Sequence, residues 1–100
     1  MKAVRFHDAA RVELLDEIRR YATISPRLGE RLANEIEHAT RLASEFPEVG
    51  SPYKYGTRRV FPKKFPFSIV YVLRESEVYV LALAPFARKP GYWRTRKNDG

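Results

Sequence analysis

Apolar residues recur every three or four positions through the first half of the chain, which predicts two amphipathic α-helices. A short strand candidate occupies residues 2–6, and the first helix is expected over 9–23 with Asp8 as its N-cap. Ser25 and Pro26 are typical of the N-cap and the first position of the second helix. Because the join between them is short, the two helices should form an antiparallel hairpin.

The pattern changes to a period of two after a Pro/Gly-rich loop at 47–56. Alternating residues predict β-strands at 57–61, 67–73 and 78–84. Since the links between these strands are short, they should form an antiparallel meander. The expected fold class is therefore α+β, in the order β-α-α-β-β-β, with an N-terminal helical hairpin packed on a small antiparallel sheet.

Both faces of the middle predicted strand are mostly apolar, so the helical hairpin can cover only one of them. The other face needs cover from the C-terminal tail or from a partner. The helical stripes and the strand interiors together predict a set of core residues. They are Leu14, Ile18, Leu32, Ile36, Leu42, Phe46, Ile69, Tyr71, Val80 and Ala82.

Length and composition indicate one domain over residues 1–100. The chain has no cysteine, no apolar run of membrane-spanning length and an N-terminus too charged for a signal peptide, which favours a soluble protein of the cytoplasm. Residues 1–50 carry 8 Lys/Arg against 9 Asp/Glu, whereas residues 51–100 carry 11 against 3. The basic half suggests an anionic partner, either nucleic acid or an acidic protein segment, although a basic surface also simply aids solubility.

The histidines and carboxylates show no arrangement typical of acid–base or metal chemistry. His7 lies between the first strand and the first helix, and His38 lies beside Glu37, off the apolar stripe of the second helix. Neither has metal-ligand spacing, and most acidic residues lie on solvated helix faces. The isolated glycines form no phosphate-binding loop, so we expect no cofactor and no metal.

Cationic and aromatic side chains interleave through the second half of the chain. Such a mixture suits phosphates and unstacked bases, and a metal-free nuclease could use it to stabilise a pentavalent phosphate and to move protons. Alternatively, the rings pack on the sheet while the charged ends stay in water. The set comprises Lys54, Arg58, Arg59, Lys63, Lys64, Arg88, Lys89, Arg94 and Arg96 with Tyr53, Tyr55, Phe61, Phe65, Tyr92 and Trp93.

Two segments resemble a known family. Residues 56–73, GTRRVFPKKFPFSIVYVL, are similar to the Gly-x-Arg-Arg segment, basic turn and Phe-Pro-(Phe/Tyr)-x-(Ile/Val)-x-Tyr motif of the RelE/ParE superfamily of bacterial type II toxins. Residues 78–93, VYVLALAPFARKPGYW, resemble its final strand, Arg-containing turn and Pro-x-Tyr-Trp motif. The resemblance implies a toxin of the plasmid-stabilisation type, held inactive in a hetero-oligomer by a cognate antitoxin with an acidic or amphipathic segment.

The superfamily contains two activities. RelE-like members are ribosome-dependent mRNA interferases that need no metal, and in that case Arg59, Arg88 and Tyr92 would be the catalytic residues of this chain. ParE-like members inhibit DNA gyrase and are not nucleases. A non-toxic nucleic-acid-binding domain of the same fold is a further alternative.

Three positions favour the ParE-like activity. Phe61 and Ser68 stand where the RelE pattern has cations that steady a phosphate, and Pro85 stands where many members carry a histidine. We therefore expect a toxin that acts by binding a protein target, with gyrase as that target. Target or nucleic-acid contacts are expected from Arg58, Lys63, Lys64, Lys89, Arg94 and Arg96, and antitoxin contacts from Phe86, Tyr92 and Trp93.

Overall fold

A mixed five-stranded sheet forms the centre of the computed structural model, which describes residues 1–99. Along the chain the elements are β1 (Ala3–Phe6), α1 (Asp8–Ile24), α2 (Pro26–Glu45), β2 (Ser51–Tyr53), β3 (Thr57–Val60), β4 (Phe67–Leu73) and β5 (Glu77–Pro85), with short 3-10 helices at Lys54–Gly56 and Arg94–Asn98. In the sheet the strands are ordered β1-β5-β4-β3-β2. β1 pairs with β5 in parallel, and the other neighbouring strands pair antiparallel.

The α+β class, the helical hairpin and the three meander strands are confirmed by this arrangement. Two features of the sheet go beyond the expectation. β1 runs parallel to β5, with Ala3 opposite Glu77 and Phe6 opposite Val80, and the connection between them contains both helices and the strands β2 to β4. In addition, β2 lies within the segment predicted as a loop. Pro52 is compatible with this strand because β2 is at the edge of the sheet, where a missing N–H is tolerated.

The N-terminus of α1 is capped by His7, so the prediction of Asp8 as the N-cap was wrong. The Ala9 amide donates to His7 Nδ1 at 3.0 Å, which makes Asp8 the first helical residue, where its charge suits the helix dipole. Since Nδ1 accepts, the ring proton lies on Nε2, which is 2.8 Å from Asp99 Oδ2. Ser25 occupies the predicted N-cap position of α2, although its side chain makes no capping hydrogen bond within residues 1–99.

The main core lies between the helical hairpin and one face of the sheet. Leu14 and Ile18 are half-buried against it, and Ala82 is buried on the opposite face. Leu42 is partly exposed, and the prediction of Phe46 as a core residue was wrong. Phe46 is the C-cap of α2, with a non-helical backbone, and its side chain is 60% exposed because the helical stripe ends one residue earlier. The predicted residues that are fully buried in the main core are Leu32, Ile36, Ile69, Tyr71 and Val80.

The second face of the sheet is covered by the C-terminal tail, which is one of the two covers expected from the sequence. Trp93 is completely buried there against side chains of β4 and β5. Gly91, with φ +102°, adopts the left-handed conformation in the turn that leads to it. Arg74 anchors the tail by donating to the carbonyls of Lys97 and Asp99, at 3.0 and 3.1 Å. The sheet therefore carries a packed apolar layer on each face.

Candidate functional site

A cavity of about 350 Å³ opens at one end of the sheet, on the face that the tail covers. It lies between Arg59 of β3 and Arg88 of the turn that follows β5. Ser68 and Ala84, paired across β4 and β5, are part of its lining. Among the described residues, the lining contains two cations and two hydroxyl groups, those of Tyr53 and Ser68, but no carboxylate. Its aromatic members are Tyr53, Phe61, Phe86 and Trp93.

Arg59 is oriented by stacking on aromatic rings. Its guanidinium carbon lies 4.0 Å from the centroid of the Tyr53 ring and 5.1 Å from that of the Phe61 ring. Nη1 donates a long hydrogen bond of 3.4 Å to Ser68 Oγ, and within residues 1–99 no carboxylate forms an ion pair with the guanidinium. Most of its donors therefore remain available to an anion in the cavity.

Arg88 approaches the same cavity from a tight turn, which is closed by a 3.1 Å hydrogen bond from its amide to the Pro85 carbonyl. Its guanidinium carbon lies 3.5 Å from the centroid of the Tyr92 ring. Like Arg59, it has no ion pair with a carboxylate of the described chain. Both cations of the cavity are therefore positioned by rings and are not neutralised by acids.

Tyr92 stacks on Arg88 but is not part of the cavity lining. Burial raises the pKa of its hydroxyl, and the charge of Glu13 adds to the increase, against the opposing effects of Arg88 and Arg96. A tyrosine that accepts a proton near neutral pH needs a lowered pKa. Of the three predicted catalytic residues, the structure thus brings Arg59 and Arg88 together and leaves Tyr92 outside the cavity.

The other predicted antitoxin contacts differ in exposure. Phe86 is 58% exposed and packs edge-to-face on Phe61, with ring centroids 6.0 Å apart. Trp93 is buried, and its ring centroid lies 5.9 Å from those of both Tyr53 and Tyr55. The Trp93 indole N–H has no hydrogen-bond partner within the described chain. In this conformation Phe86 offers apolar surface to a partner and Trp93 does not, and both assignments stay predictions.

Two of the predicted target-binding cations donate hydrogen bonds to backbone carbonyls of the chain. Arg58 Nη1 donates to two carbonyls of the loop after α2, at 3.0 and 2.7 Å, which ties that loop to β3. Arg96 Nη1 lies 3.0 Å from the Leu81 carbonyl and 3.0 Å from Glu13 Oε2, which ties the tail to β5 and α1. The remaining predicted cations have exposed side chains: Lys63, Lys64, Lys89 and Arg94.

Tyr53 and Ser68 are site residues whose roles depend on strand register. Tyr53 lies in the edge strand β2, within the predicted loop, and its ring reaches Arg59 because β2 pairs with β3. Ser68 reaches Arg59 across the ladder of β3 and β4, in which Arg59 is opposite Val70. A correct register for these three strands would have indicated both contacts from the sequence.

Metal-binding clusters and membrane-spanning helices are both absent from residues 1–99. In this region, no group of three or more His, Cys, Asp or Glu side chains is arranged so that it could hold a metal ion. None of its helices combines the length and the apolar character that a membrane crossing requires.

The family model described as "ParE toxin of type II toxin-antitoxin system, parDE" matches residues 4–90 of the chain. The chain belongs to the ParE toxin family. The superfamily expected from the two sequence motifs, with preference for its ParE branch, is thereby confirmed. The matched region of this ParE-family chain contains both arginines of the cavity and ends before Tyr92 and Trp93.

A solved structure has the same fold as this ParE-family chain. It is described as "Chromosomal ParDE TA system from P. aeruginosa" and superposes with a TM-score of 0.73 at 18% sequence identity, covering 85% of this chain and 96% of that chain. At this identity the likeness establishes the fold and not the activity. No curated protein sequence matches the chain significantly.

Proposed function

We propose that this type II toxin of the ParE family arrests growth by binding DNA gyrase in the cytoplasm, and that a cognate antitoxin neutralises it. One observation carries the choice of binding over RNA cleavage. The cavity holds Arg59 and Arg88, but its lining within residues 1–99 contains neither a histidine nor a carboxylate, and Tyr92 lies outside it. Such a site can hold an anion, but it lacks the imidazole and carboxylate groups that most often transfer protons in enzymes.

Ribonuclease chemistry requires more than this cavity offers. A 2′-hydroxyl must lose a proton and the leaving oxygen must gain one, so groups of suitable pKa must lie within hydrogen-bonding reach. A guanidinium donates hydrogen bonds and has no acceptor site, and Tyr92 lies outside the lining with a raised pKa. His7 is bonded to Asp99 and does not line the cavity. This distribution supports a toxin that acts by recognition.

Charge and exposed apolar surface support the antitoxin part of the proposal. The chain has a net charge of +7, and it exposes Phe61 and Phe86 beside the two arginines of the cavity. An acidic amphipathic segment of a partner would complement both the charge and the rings. The inactive form would then be a hetero-oligomer of toxin and antitoxin.

An mRNA interferase is the second candidate, because Arg59 and Arg88 do share one cavity. His38 lies in the neighbouring groove between α2 and β3, which Arg59 also lines. In this alternative the two arginines would stabilise the phosphate, and a histidine from the adjacent groove would have to reach the reacting oxygen. It predicts cleavage of translated mRNA.

Pulse labelling after induction of the chain separates the two candidates. Incorporation of labelled thymidine, uridine and methionine is followed in cells from the moment of induction. A gyrase inhibitor should reduce thymidine incorporation first, while methionine incorporation continues. Early loss of methionine incorporation together with fragmented mRNA would contradict the proposal and favour the interferase.

Co-expression tests the neutralisation. The small protein encoded beside the toxin should restore growth, and it should co-purify with the toxin. Growth arrest that persists despite abundant co-expressed neighbour would show that this neighbour is not the antitoxin of the chain.

A further inference from the structure

The cavity between Arg59 and Arg88 combines three features of an oxyanion site. Within residues 1–99, its lining contains two cations and no carboxylate. Both guanidinium groups are preoriented by rings, at 4.0 Å from the Tyr53 centroid and 3.5 Å from the Tyr92 centroid. The completely buried lining residue Trp93 has an indole N–H without an acceptor in residues 1–99, which is rare for a buried donor.

We propose that this cavity receives the carboxylate of one aspartate or glutamate side chain of the antitoxin. A carboxylate is planar, and its two oxygens match the fork of a guanidinium, so it can accept hydrogen bonds from both Arg59 and Arg88. The inference rests on the part of the proposed function that gives the chain an antitoxin, and it does not depend on gyrase as the target.

The surroundings of the cavity fit a protein side chain better than a nucleic-acid backbone. A phosphate backbone is bound by rows of available cations. Here Arg58, Arg96 and Lys97 are already held by backbone carbonyls of the chain itself, and the exposed cations Lys63, Lys64, Lys89 and Arg94 are not part of the cavity lining. The lining instead includes the apolar rings of Phe61 and Phe86, which are 44% and 58% exposed. A single acid inserted between the arginines, with apolar neighbours beside it, matches this distribution.

The single tryptophan makes the cavity directly observable, because the indole N–H gives one unambiguous NMR signal in isotope-labelled protein. Three probes are titrated: N-acetyl-glutamate N-methylamide, its neutral glutamine analogue, and uridine monophosphate as a phosphate probe. We expect a saturable shift of the Trp93 signal with the glutamate probe and none with the glutamine analogue. Arg88→Gln should weaken binding of the glutamate probe about tenfold or more. Arg11→Gln removes the same charge from an exposed position of α1, outside the lining, and should bind as the wild type does.

The same signal identifies the antitoxin as the source of the carboxylate. In the complex of the labelled toxin with its antitoxin, the Trp93 signal should move as it does with the glutamate probe. One Asp→Asn or Glu→Gln change in the antitoxin should reverse this movement. A complex in which the Trp93 signal stays at its position in the unbound protein would overturn the proposal.

Three further outcomes would overturn it. The first is the absence of a saturable shift with the glutamate probe, and the second is equal binding of this probe by the wild type and Arg88→Gln. The third is binding of uridine monophosphate about tenfold or more tighter than the glutamate probe, which would assign the cavity to nucleic acid. Arg59→Lys, which keeps the charge and loses the fork, is a second variant and should also weaken binding if its backbone signals show an intact fold. If these tests fail, the proposal that the chain inhibits gyrase still stands. If gyrase is not inhibited, the proposal of a carboxylate site in this cavity still stands.

Discussion

Tyr71 joins the end of α2 to the sheet through two hydrogen bonds. Its hydroxyl donates to the Pro47 carbonyl and accepts from the Gly50 amide, both at 2.9 Å. Tyr71→Phe removes the hydrogen-bond partner of the Pro47 carbonyl and of the Gly50 amide. It should lower the free energy of unfolding by about 1–3 kcal/mol, measured by urea denaturation. The control is Tyr55→Phe, on a side chain that is 46% exposed, and it should change this energy by less than about 0.5 kcal/mol. Equal effects of the two variants would contradict the assignment.

Glu77 should make the stability depend on pH in the acidic range. Hydrogen bonds and charge from Arg5, and also from Arg74, hold the pKa of Glu77 below its ordinary value of 4.5. The contribution is fully present above the ordinary pKa, and it is lost as the pH falls through the lowered pKa of the folded state. The difference in Tm between the wild type and Glu77→Gln should therefore shrink as the pH falls below the pKa that this carboxyl group has in the unfolded state. A constant difference across the acidic range would count against the linkage.

The sequence allowed Arg59 and Arg88 to be selected as candidate site residues, because cations in these motifs are typical of the superfamily. Their meeting in one cavity depends on register: Arg59 is opposite Val70, and Val70 is opposite Ala82 on the strand that leads to Arg88. The position of Tyr92 outside the lining follows from the path of the tail, which no local pattern encodes. Residue types were therefore predictable, and their mutual geometry was not.

At the scale of the helix, Leu32 and Phe46 distinguish the buried stripe of α2 from its end. Leu32 is completely buried, whereas Phe46 is the C-cap and is 60% exposed. Leu32→Ala should lower the free energy of unfolding by about 2–5 kcal/mol, because it leaves a cavity in the main core. Phe46→Ala should change it by less than about 1 kcal/mol. Chemical denaturation of both variants tests this, and similar losses would mean that the helix continues through Phe46.

The tail should contribute to stability as a core element, because Trp93 is buried between the sheet and two tyrosine rings. Trp93→Ala should lower the free energy of unfolding by about 3–5 kcal/mol in chemical denaturation. The exposed neighbour Arg94→Ala is the matched control and should have an effect below about 1 kcal/mol. A loss below about 1 kcal/mol for Trp93→Ala would show that the tail is not required to cover the sheet.

The main elements could be predicted because their periodicity reflects burial on one face. The predicted strand at 67–73 coincides with β4, the first predicted helix begins and ends within one residue of α1, and the second begins at the first residue of α2. β2 was missed because its three residues are too short for a period of two and include Pro52. The parallel pairing of β1 was missed because it joins residues more than seventy positions apart in the sequence, which no local pattern specifies.

The whole molecule combines a sheet that is packed with apolar residues on both faces with a cavity that contains two arginines. The tail covers the second face of the sheet, and the internal contacts of Arg58 and Arg96 hold loop and tail in place. Arg59 and Arg88, the two cavity arginines without acidic partners among the described residues, are thereby held in a fixed framework beside exposed aromatic rings. Such preorganisation suits recognition of a protein partner.

Inhibition of gyrase tests this account most directly. Purified toxin is added to gyrase, ATP and relaxed plasmid, and the supercoiled product is quantified on a gel. The same toxin bound to its antitoxin serves as the control. We predict that supercoiling falls with increasing toxin and is restored in the antitoxin-bound control. Undiminished supercoiling with folded toxin in large excess over gyrase would contradict the claim that gyrase is the target.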